Sequence, residues 1–310
     1  MRATVKNSIS AIIVTFYPDD RFFEMLRSID NQVDNIWIVD NGSSGQIRTK
    51  LEDLGSNANN SFNFILNDEN LGLAAAQNQG IREAINEGSK WILLLDQDSI
   101  PAGNMIDKMM VAAESYQDKN YLGMITPRHE NDDGEPSIPS YSTKHGFRLH
   151  RYFMKVDEVD DTLAFGMASG SFIPSAVLQE VGLMRDDFWI DYIDYDFSFR
   201  LRKLGYRIIG VGAASLKHRL GESFKKHIGN FSFTYHVHPA LRRYTIYRNR
   251  IRVIREYGLK FPNFLIFEAL SISKDILKLA FIEGDKKKKF NAIIVGIIDG
   301  LMGRGGFRRF

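Results

Sequence analysis

At 310 residues, with 44% hydrophobic and 25% charged side chains, the chain has an ordinary globular composition, which excludes a disordered, collagen-like or coiled-coil protein. Forty Lys and Arg against 38 Asp and Glu leave a net charge of +2, too small a basic surplus for a nucleic-acid binder. Cysteine is absent, so disulfides, thiolate catalysis and cysteine-bound zinc are excluded, and the cytoplasm is the default compartment.

Met1 to Ser10 carries charges at Arg2 and Lys6 and runs straight into the apolar segment Ile9 to Val14, which is too short for a signal-peptide core and stops at Thr15. It reads as the first strand. Further strands are predicted at Asn35 to Asp40, Phe62 to Leu66, Trp91 to Leu95 and Leu122 to Thr126. Helical patterns alternate with them at Asp20 to Gln32, Gln46 to Leu54, Ala74 to Glu87 and Asn104 to Tyr116. Several of the strands are almost wholly apolar, which predicts an α/β domain built as a Rossmann-like, doubly wound, mostly parallel sheet with helices on both faces.

Polar, turn-rich sequence from Pro127 to Asp161 interrupts the alternation, with Asn131 to Pro136 expected as a mobile loop. A second unit follows: a strand through Ser169-Gly170-Ser171, a helix near Pro174 to Val181, a helix from Asp194 to Leu204 and a strand from Tyr206 to Val211. From His236 onward the chain reads as helical and basic, so residues 1–235 are expected as one unit and 236–310 as a C-terminal helical extension. Phe264 to Phe267, Ile276 to Phe281 and Phe290 to Ile298 lie beside Lys286 to Lys289, Arg304, Arg308 and Arg309. Such amphipathic, basic helices suit either an interfacial contact with an anionic membrane or a packing or homo-oligomer surface. No stretch reaches the roughly 18 uninterrupted apolar residues of a spanning helix.

In sheets of this kind ligands bind beyond the carboxyl ends of the strands. There the sequence sets Thr15 to Asp19, Asp40-Asn41-Gly42-Ser43-Ser44, Asn67 to Gly72 and Asp96-Gln97-Asp98-Ser99. Asp40 to Ser43 alone is a turn; four polar loops on one rim mark a ligand site. Asp96 and Asp98 follow an apolar strand at a spacing that puts both on one side of an extended backbone, and hard carboxylate oxygens suit Mg²⁺ or Mn²⁺ bridging to a diphosphate. Asp191, Asp194 and Asp196 crowd three carboxylates before the run Phe197 to Leu204. Their repulsion raises a pKa, which suits a general base; acidic capping of a helix is the plainer alternative.

Ile12-Ile13-Val14-Thr15-Phe16, Val39-Asp40-Asn41-Gly42-Ser43, Asn70-Leu71-Gly72-Leu73-Ala74-Ala75-Ala76-Gln77-Asn78 and Leu95-Asp96-Gln97-Asp98 occur in the order of the family 2 glycosyltransferases of the GT-A fold. The chain resembles that family over about residues 9 to 250, and Asp96 to Ser99 together with the run Trp189 to Asp196 resembles its bacterial rhamnosyltransferases. The resemblance implies that Thr15 and Tyr17 border a nucleotide, that Asp40 reads its base, and that Asn70, Gly72, Gln77 and Asn78 lie along the ribose and diphosphate. It implies that Asp96 contacts the donor and, with Asp98 and His218, holds the cation. Aligned on Asp-x-Asp-x-x-x-Arg, it makes Asp194 the base, with Asp191 as runner-up. Arg248, within the basic-aromatic patch Arg242 to Arg250, would neutralise the diphosphate; a solvated basic helix face is the alternative. The stretch from Gly221 to Phe233 is a candidate cover over the donor.

The activity implied is inverting, metal-dependent transfer of L-rhamnose from dTDP-L-rhamnose to a glycan acceptor linked to polyprenyl diphosphate, at the inner face of the cell membrane. Its rivals are a UDP-sugar transferase (galactose or N-acetylglucosamine) and a non-catalytic nucleotide-sugar-binding protein. A nicotinamide dehydrogenase is disfavoured because Thr15 to Asp19 replaces the Gly-x-Gly-x-x-Gly turn.

Overall fold

The computed structural model describes residues 8–56, 62–144, 146–219, 223–228 and 231–308, the stretches 223–228 and 231–236 by backbone alone. Strands β1 (Ile9–Thr15), β2 (Asn35–Asn41), β3 (Phe62–Asn67) and β4 (Trp91–Asp96) pair in parallel in the order β3-β2-β1-β4. Helices α1 (Asp20–Ile29), α2 (Gln46–Ser56) and α3 (Leu73–Asn86) connect them. The sheet continues from β4 through β10 (Phe172–Pro174), β6 (Leu122–Glu130) and β11 (Arg207–Lys217) to β5 (Ile100–Pro101), with β9 (Val159–Asp160) also on β11. β10 runs antiparallel to β4 and β6, whereas β6 and β11 are parallel.

Alternation along β1 feeds two cores. Ala11 and Ile13 point to the side covered by α1 and α4 (Met105–Ser115), where Phe22, Met25, Ile29 and Met109 are buried. Ile12 points to the other side, covered by α3, α5 (Ser175–Val181) and α6 (Ile193–Lys203), with Ile81, Leu178, Phe197 and Phe199. Each large apolar side chain removed from water contributes about 1.5–3 kcal/mol, so a strand apolar on both faces is stable only between two helical layers. The apolar positions of α1, at Phe22, Met25, Leu26 and Ile29, follow the helical period, and the Asp19 carboxylate caps it by accepting from Arg21 N at 3.0 Å.

Some boundaries differ from expectation. The expected strand through Ser169 to Ser171 is a turn, with β10 starting at Phe172, because Gly170 adopts φ +86 and the Ser171 hydroxyl turns back to Met167 O. β11 runs on to Lys217, past a register shift between Val211 and Ser215 that breaks its pattern. Within the polar middle, β7 (Ser140–Ser142) and β8 (His150–Tyr152) form a hairpin. Asn131 to Pro136, expected as a mobile loop, is closed by Asn131 Oδ1 accepting from Asp133 N and Glu135 N, and Asp132 pairs with Arg21 and Arg219. Arg2 and Lys6, and Gly221 and Glu222 of the candidate cover, lie outside the described residues; the backbone after them forms a hairpin of β12 (Ser223–Ile228) and β13 (Phe231–His236).

The chain ends in α7 (Ala240–Tyr257), α8 (Pro262–Phe281) and α9 (Lys286–Leu301). Val253, Tyr257, Phe261 and Phe264 join the core beneath α3 and α6, and α9 packs along α7 through Ala292 and Ile293. Among the described residues no helix is long and apolar enough to cross a membrane.

Candidate active site

β1, β2 and β4 deliver Thr15, Asp40 and Asp96 to one edge, since Thr15 is in register with Asp40 and Val14 with Asp96. The loops are tied to each other there. Phe16 N donates to Gln97 Oε1 at 2.8 Å, Tyr17 N donates to Ser43 Oγ at 2.8 Å, and the Tyr17 hydroxyl meets Ser44 Oγ at 2.8 Å. Asp40 is fully buried: it accepts from Thr15 Oγ1 at 3.0 Å, Ser43 N at 2.9 Å and Ser43 Oγ at 2.6 Å. It has no exposed oxygen, so it meets a base only if Thr15 or Ser43 moves. Asn70 Oδ1 accepts from Asn41 Nδ2 and Gly72 N, which fixes the turn into α3. At Gly72 a side chain has no room: φ is +89 and a Cβ would stand 2.9 Å from the Trp189 ring.

Asp96, Asp98 and His218 converge at the mouth of β4, with one ligand atom from each within 4.8 Å of the others. Arg21 Nε donates to Asp98 O at 2.6 Å, anchoring the loop. Asp96 N donates to Ser169 Oγ at 3.1 Å, Ser169 Oγ donates to Ser99 Oγ at 2.8 Å, and Ser99 Oγ lies 2.7 Å from His218 Nδ1. In the tautomer with the proton on Nδ1, donated to the second lone pair of Ser99 Oγ, His218 Nε2 carries the lone pair that a cation needs. Two carboxylates and an imidazole nitrogen suit a divalent cation of the Mg²⁺ or Mn²⁺ type, with coordination positions to spare. Burial raises the Asp96 carboxyl above its ordinary range, opposed by His218 and assisted by Asp98. His129, behind the cluster, is pushed down to about 4 by burial and donates to Ser169 O at 3.0 Å.

Asp194 stands in the first turn of α6 at the same rim. Burial pushes its carboxyl up to about 7; Asp191 and Asp96 add to the rise, and the Tyr195 N–H, bound at 2.9 Å, opposes it. Asp191 is already engaged, by Arg242 Nη2 at 3.0 Å and Thr245 Oγ1 at 3.3 Å. Asp196 is fully buried against Arg185, Arg200 and the Tyr257 hydroxyl, and holds α6 in place. The loop before α6 is strained, with positive φ at Trp189, Asp191 and Tyr192. Such residues cost about 1–3 kcal/mol each and persist only where their surroundings impose them. Asn249 Nδ2 lies 2.9 Å from the carbonyl oxygens of Phe188, Ile190 and Asp191, which share its two N–H donors, and Leu73 N donates to Trp189 O at 2.7 Å.

Three expected donor contacts are not brought to the rim. Arg248 is fully buried and donates to Phe188 O at 2.8 Å and to Gly306 O, because α7 packs inward along this edge; Arg242, 48% exposed, is the patch residue facing Asp191. Asn78 is buried and binds Met184 O at 2.7 Å and the Asp186 carboxylate. Gln77 is buried with its Oε1 unpaired. Ser99, Ser169 and Asn249 escaped sequence reasoning as supporting residues: Ser99 follows the Asp-Gln-Asp motif directly, whereas nothing local distinguishes Asn249 on a basic helix.

Residues 10–182 match the profile described as glycosyl transferase family 2, more than half of the chain. The chain belongs to that family. The dTDP-rhamnosyl transferase RfbF of Shigella flexneri is 23% identical to this glycosyltransferase over 310 residues, 99% of both chains. Galactofuranosyltransferase GlfT1 of Mycobacterium tuberculosis is 24% identical over 263 residues, 82% of this chain and 84% of its own. Among solved structures, GalNAc-T7 with UDP, GalNAc and Mn²⁺ superposes with a TM-score of 0.58 at 16% identity, over 80% of this chain and 47% of that one, so this chain spans about half of its length. S. aureus TarS 1–349 in complex with UDP-GlcNAc gives 0.58 at 12% identity, over 94% and 81%. The mannosyltransferase PcManGT of Pyrobaculum calidifontis, in complex with GDP-Man and Mn²⁺, gives 0.56 at 12%, over 97% and 88%. The fold is GT-A, with C-terminal helices added.

Proposed function

We propose that this glycosyltransferase is inverting and metal-dependent, and transfers L-rhamnose from dTDP-L-rhamnose to a glycan acceptor carried on polyprenyl diphosphate at the cytoplasmic side of the membrane. One observation carries the reading: the Asp96, Asp98 and His218 cluster shares its rim with Asp194, whose pKa is raised partly by Asp96 itself. Residues 1–235 would hold the chemistry and 236–310 would support it. RfbF, similar along its whole length, is the support for rhamnose.

Asp96, Asp98 and His218 Nε2 would hold Mg²⁺ or Mn²⁺, which supplies positive charge to a leaving diphosphate. Thr15, Tyr17, Asn70 and Gly72 shape the wall on which the nucleotide lies, and Asp40 stiffens it from behind. Asp194 takes the proton of the acceptor hydroxyl; its pKa near 7 matches a base working at neutral pH. The hydroxyl oxygen then attacks the anomeric carbon from the face opposite the nucleotide, and a single displacement inverts the configuration. Asp191, neutralised by Arg242, keeps its charge from being stranded beside Asp194. Arg242 takes over the diphosphate role first expected of Arg248.

Calorimetric titration with dTDP-rhamnose, UDP-galactose and UDP-N-acetylglucosamine, each with Mn²⁺ and with chelator, tests this. The expected result is tightest binding of dTDP-rhamnose and its loss with chelator. Preference for a UDP-sugar moves the donor to the rival reading, and equal binding with and without metal removes the cation site.

A further inference from the structure

Helices α8 and α9 leave apolar stripes facing solvent. On α8, Ile266, Leu270, Leu277 and Phe281 recur at helical spacing, with Leu270, Leu277 and Phe281 58%, 57% and 75% exposed. On α9, Phe290, Ile294, Ile298 and Leu301 repeat the pattern. Scattered apolar residues on a surface are ordinary, but an exposed stripe at helical spacing on each of two successive helices is not. They meet where residues 282–285 join Phe281 to the start of α9, beside Lys286, Lys287 and Lys288, all exposed.

These lysines occupy the positive end of α9, where the helix dipole disfavours them and where no acidic residue stands in the first turn. Of Lys286 to Lys289, two have partners within the chain: Lys286 Nζ donates to Ala280 O at 2.6 Å, and the buried Lys289 pairs with Glu283 at 2.9 Å. Lys287 and Lys288, with Lys274 on α8, point outward. The acids nearby are mostly paired: Glu283 is buried against Arg243 and Lys289, Asp299 is buried against Arg304 and Arg308, and the partly exposed Asp275 meets Arg250 and Lys278, while Asp285 is exposed.

We propose that α8 and α9 form a docking face for an anionic lipid bilayer, lying on the surface with their apolar stripes in the headgroup region and Lys274, Lys287 and Lys288 against lipid phosphates. A second copy of the chain fits less well, because a symmetric contact would bring like-charged lysine clusters together and charge is depleted from the core of such interfaces. At 20 residues α8 is about 30 Å long, enough to lie along the surface, and it falls short of a spanning helix in apolar character. The inner side of α8 carries Phe267, whose ring packs with Phe165 and Tyr195 beside Asp194, so the helix that presents the outer stripe also borders that carboxylate's surroundings. The bilayer contact stands on the helices alone; its use, holding a lipid-linked acceptor within reach of Asp194, rests on the transferase reading above.

Sedimentation of the full chain with vesicles of phosphatidylcholine alone, and of phosphatidylcholine mixed with phosphatidylglycerol, tests the contact. The protein should pellet with the mixed vesicles, release at high salt, and stay in solution with phosphatidylcholine alone. Phe281→Asp with Phe290→Asp should weaken binding by about tenfold or more; both positions are exposed, and circular dichroism with donor titration verifies the fold and the active site independently. Lys287→Glu with Lys288→Glu should remove the preference for the anionic lipid. No pelleting with mixed vesicles overturns the proposal. So does light scattering that shows a dimer dissolved by the phenylalanine variants, which would make the face a contact between copies.

Discussion

At the strand-end rim Asp96, Asp98 and His218 are half-buried and point at a common space, whereas on α7 Arg243, Arg248, Arg250 and Arg252 are nearly inaccessible and direct their donors at carboxylates and carbonyls of their own chain. Both regions concentrate charge. At the rim it faces a shared space; along α7 it fixes posture, since Asn249 and Arg248 clamp the strained loop that presents Asp191 and Asp194. A buried guanidinium without partners would cost several kcal/mol, so this helix is stable only with the loop in its grip. On the function proposed above, the GT-A half would supply the reacting groups and the appended helices the geometry in which one of them works.

The sharpest break between the two regions comes from Asp194→Asn, which should lower transfer by roughly a thousandfold, within the range of lost general-base catalysis, while donor affinity by calorimetry is unchanged. Retained transfer would strip the base from the rim. Asn249→Ala removes the clamp and touches no expected ligand. It should cost about 2–3 kcal/mol of stability in urea unfolding and lower kcat by roughly ten- to a hundredfold, with donor affinity intact. A loss of donor affinity instead would show that α7 acts on the nucleotide side.

Ser99→Ala should weaken Mn²⁺ binding about 10- to 100-fold, read by calorimetry without donor, since His218 loses the partner that orients its ring. The smallest effect is on pH dependence. As the proposed base, Asp194 would act only when ionised, so kcat should rise with pH to about 7 and then level. The folded chain keeps this proton up to about 7 while the unfolded chain releases it near 3.8, so stability from this group is lost as pH rises through that window. Asp194→Asn should accordingly be more resistant to urea than the parent above about pH 7, with the difference vanishing toward pH 4.

Much of the first half was legible because its signals are local. Ile9 to Thr15 and Trp91 to Leu95 are too apolar to be anything but strands between two helical layers, and Asp96, Asp98 and the turn at Gly72 fall where strands end. The second half was less legible because its signals are distant. Arg243 finds Glu283 forty positions on, Arg250 finds Glu268, and Arg252 reaches back to Asp187. In sequence these arginines look like a solvated or diphosphate-facing patch.

Apolar runs, the period of α1 and the spacing of Asp96 and Asp98 were sufficient to determine an α/β sheet with an acidic rim, because burial of neighbouring side chains is decided within a few residues. Tertiary structure alone decided that, among the described residues, Asp191 and not Asp194 is paired with an arginine, that Arg248 turns inward, and that Ser99 and Ser169 orient His218. Those outcomes depend on pairings between residues dozens to more than a hundred positions apart, and desolvation and charge partners at that range exist only once the chain has folded.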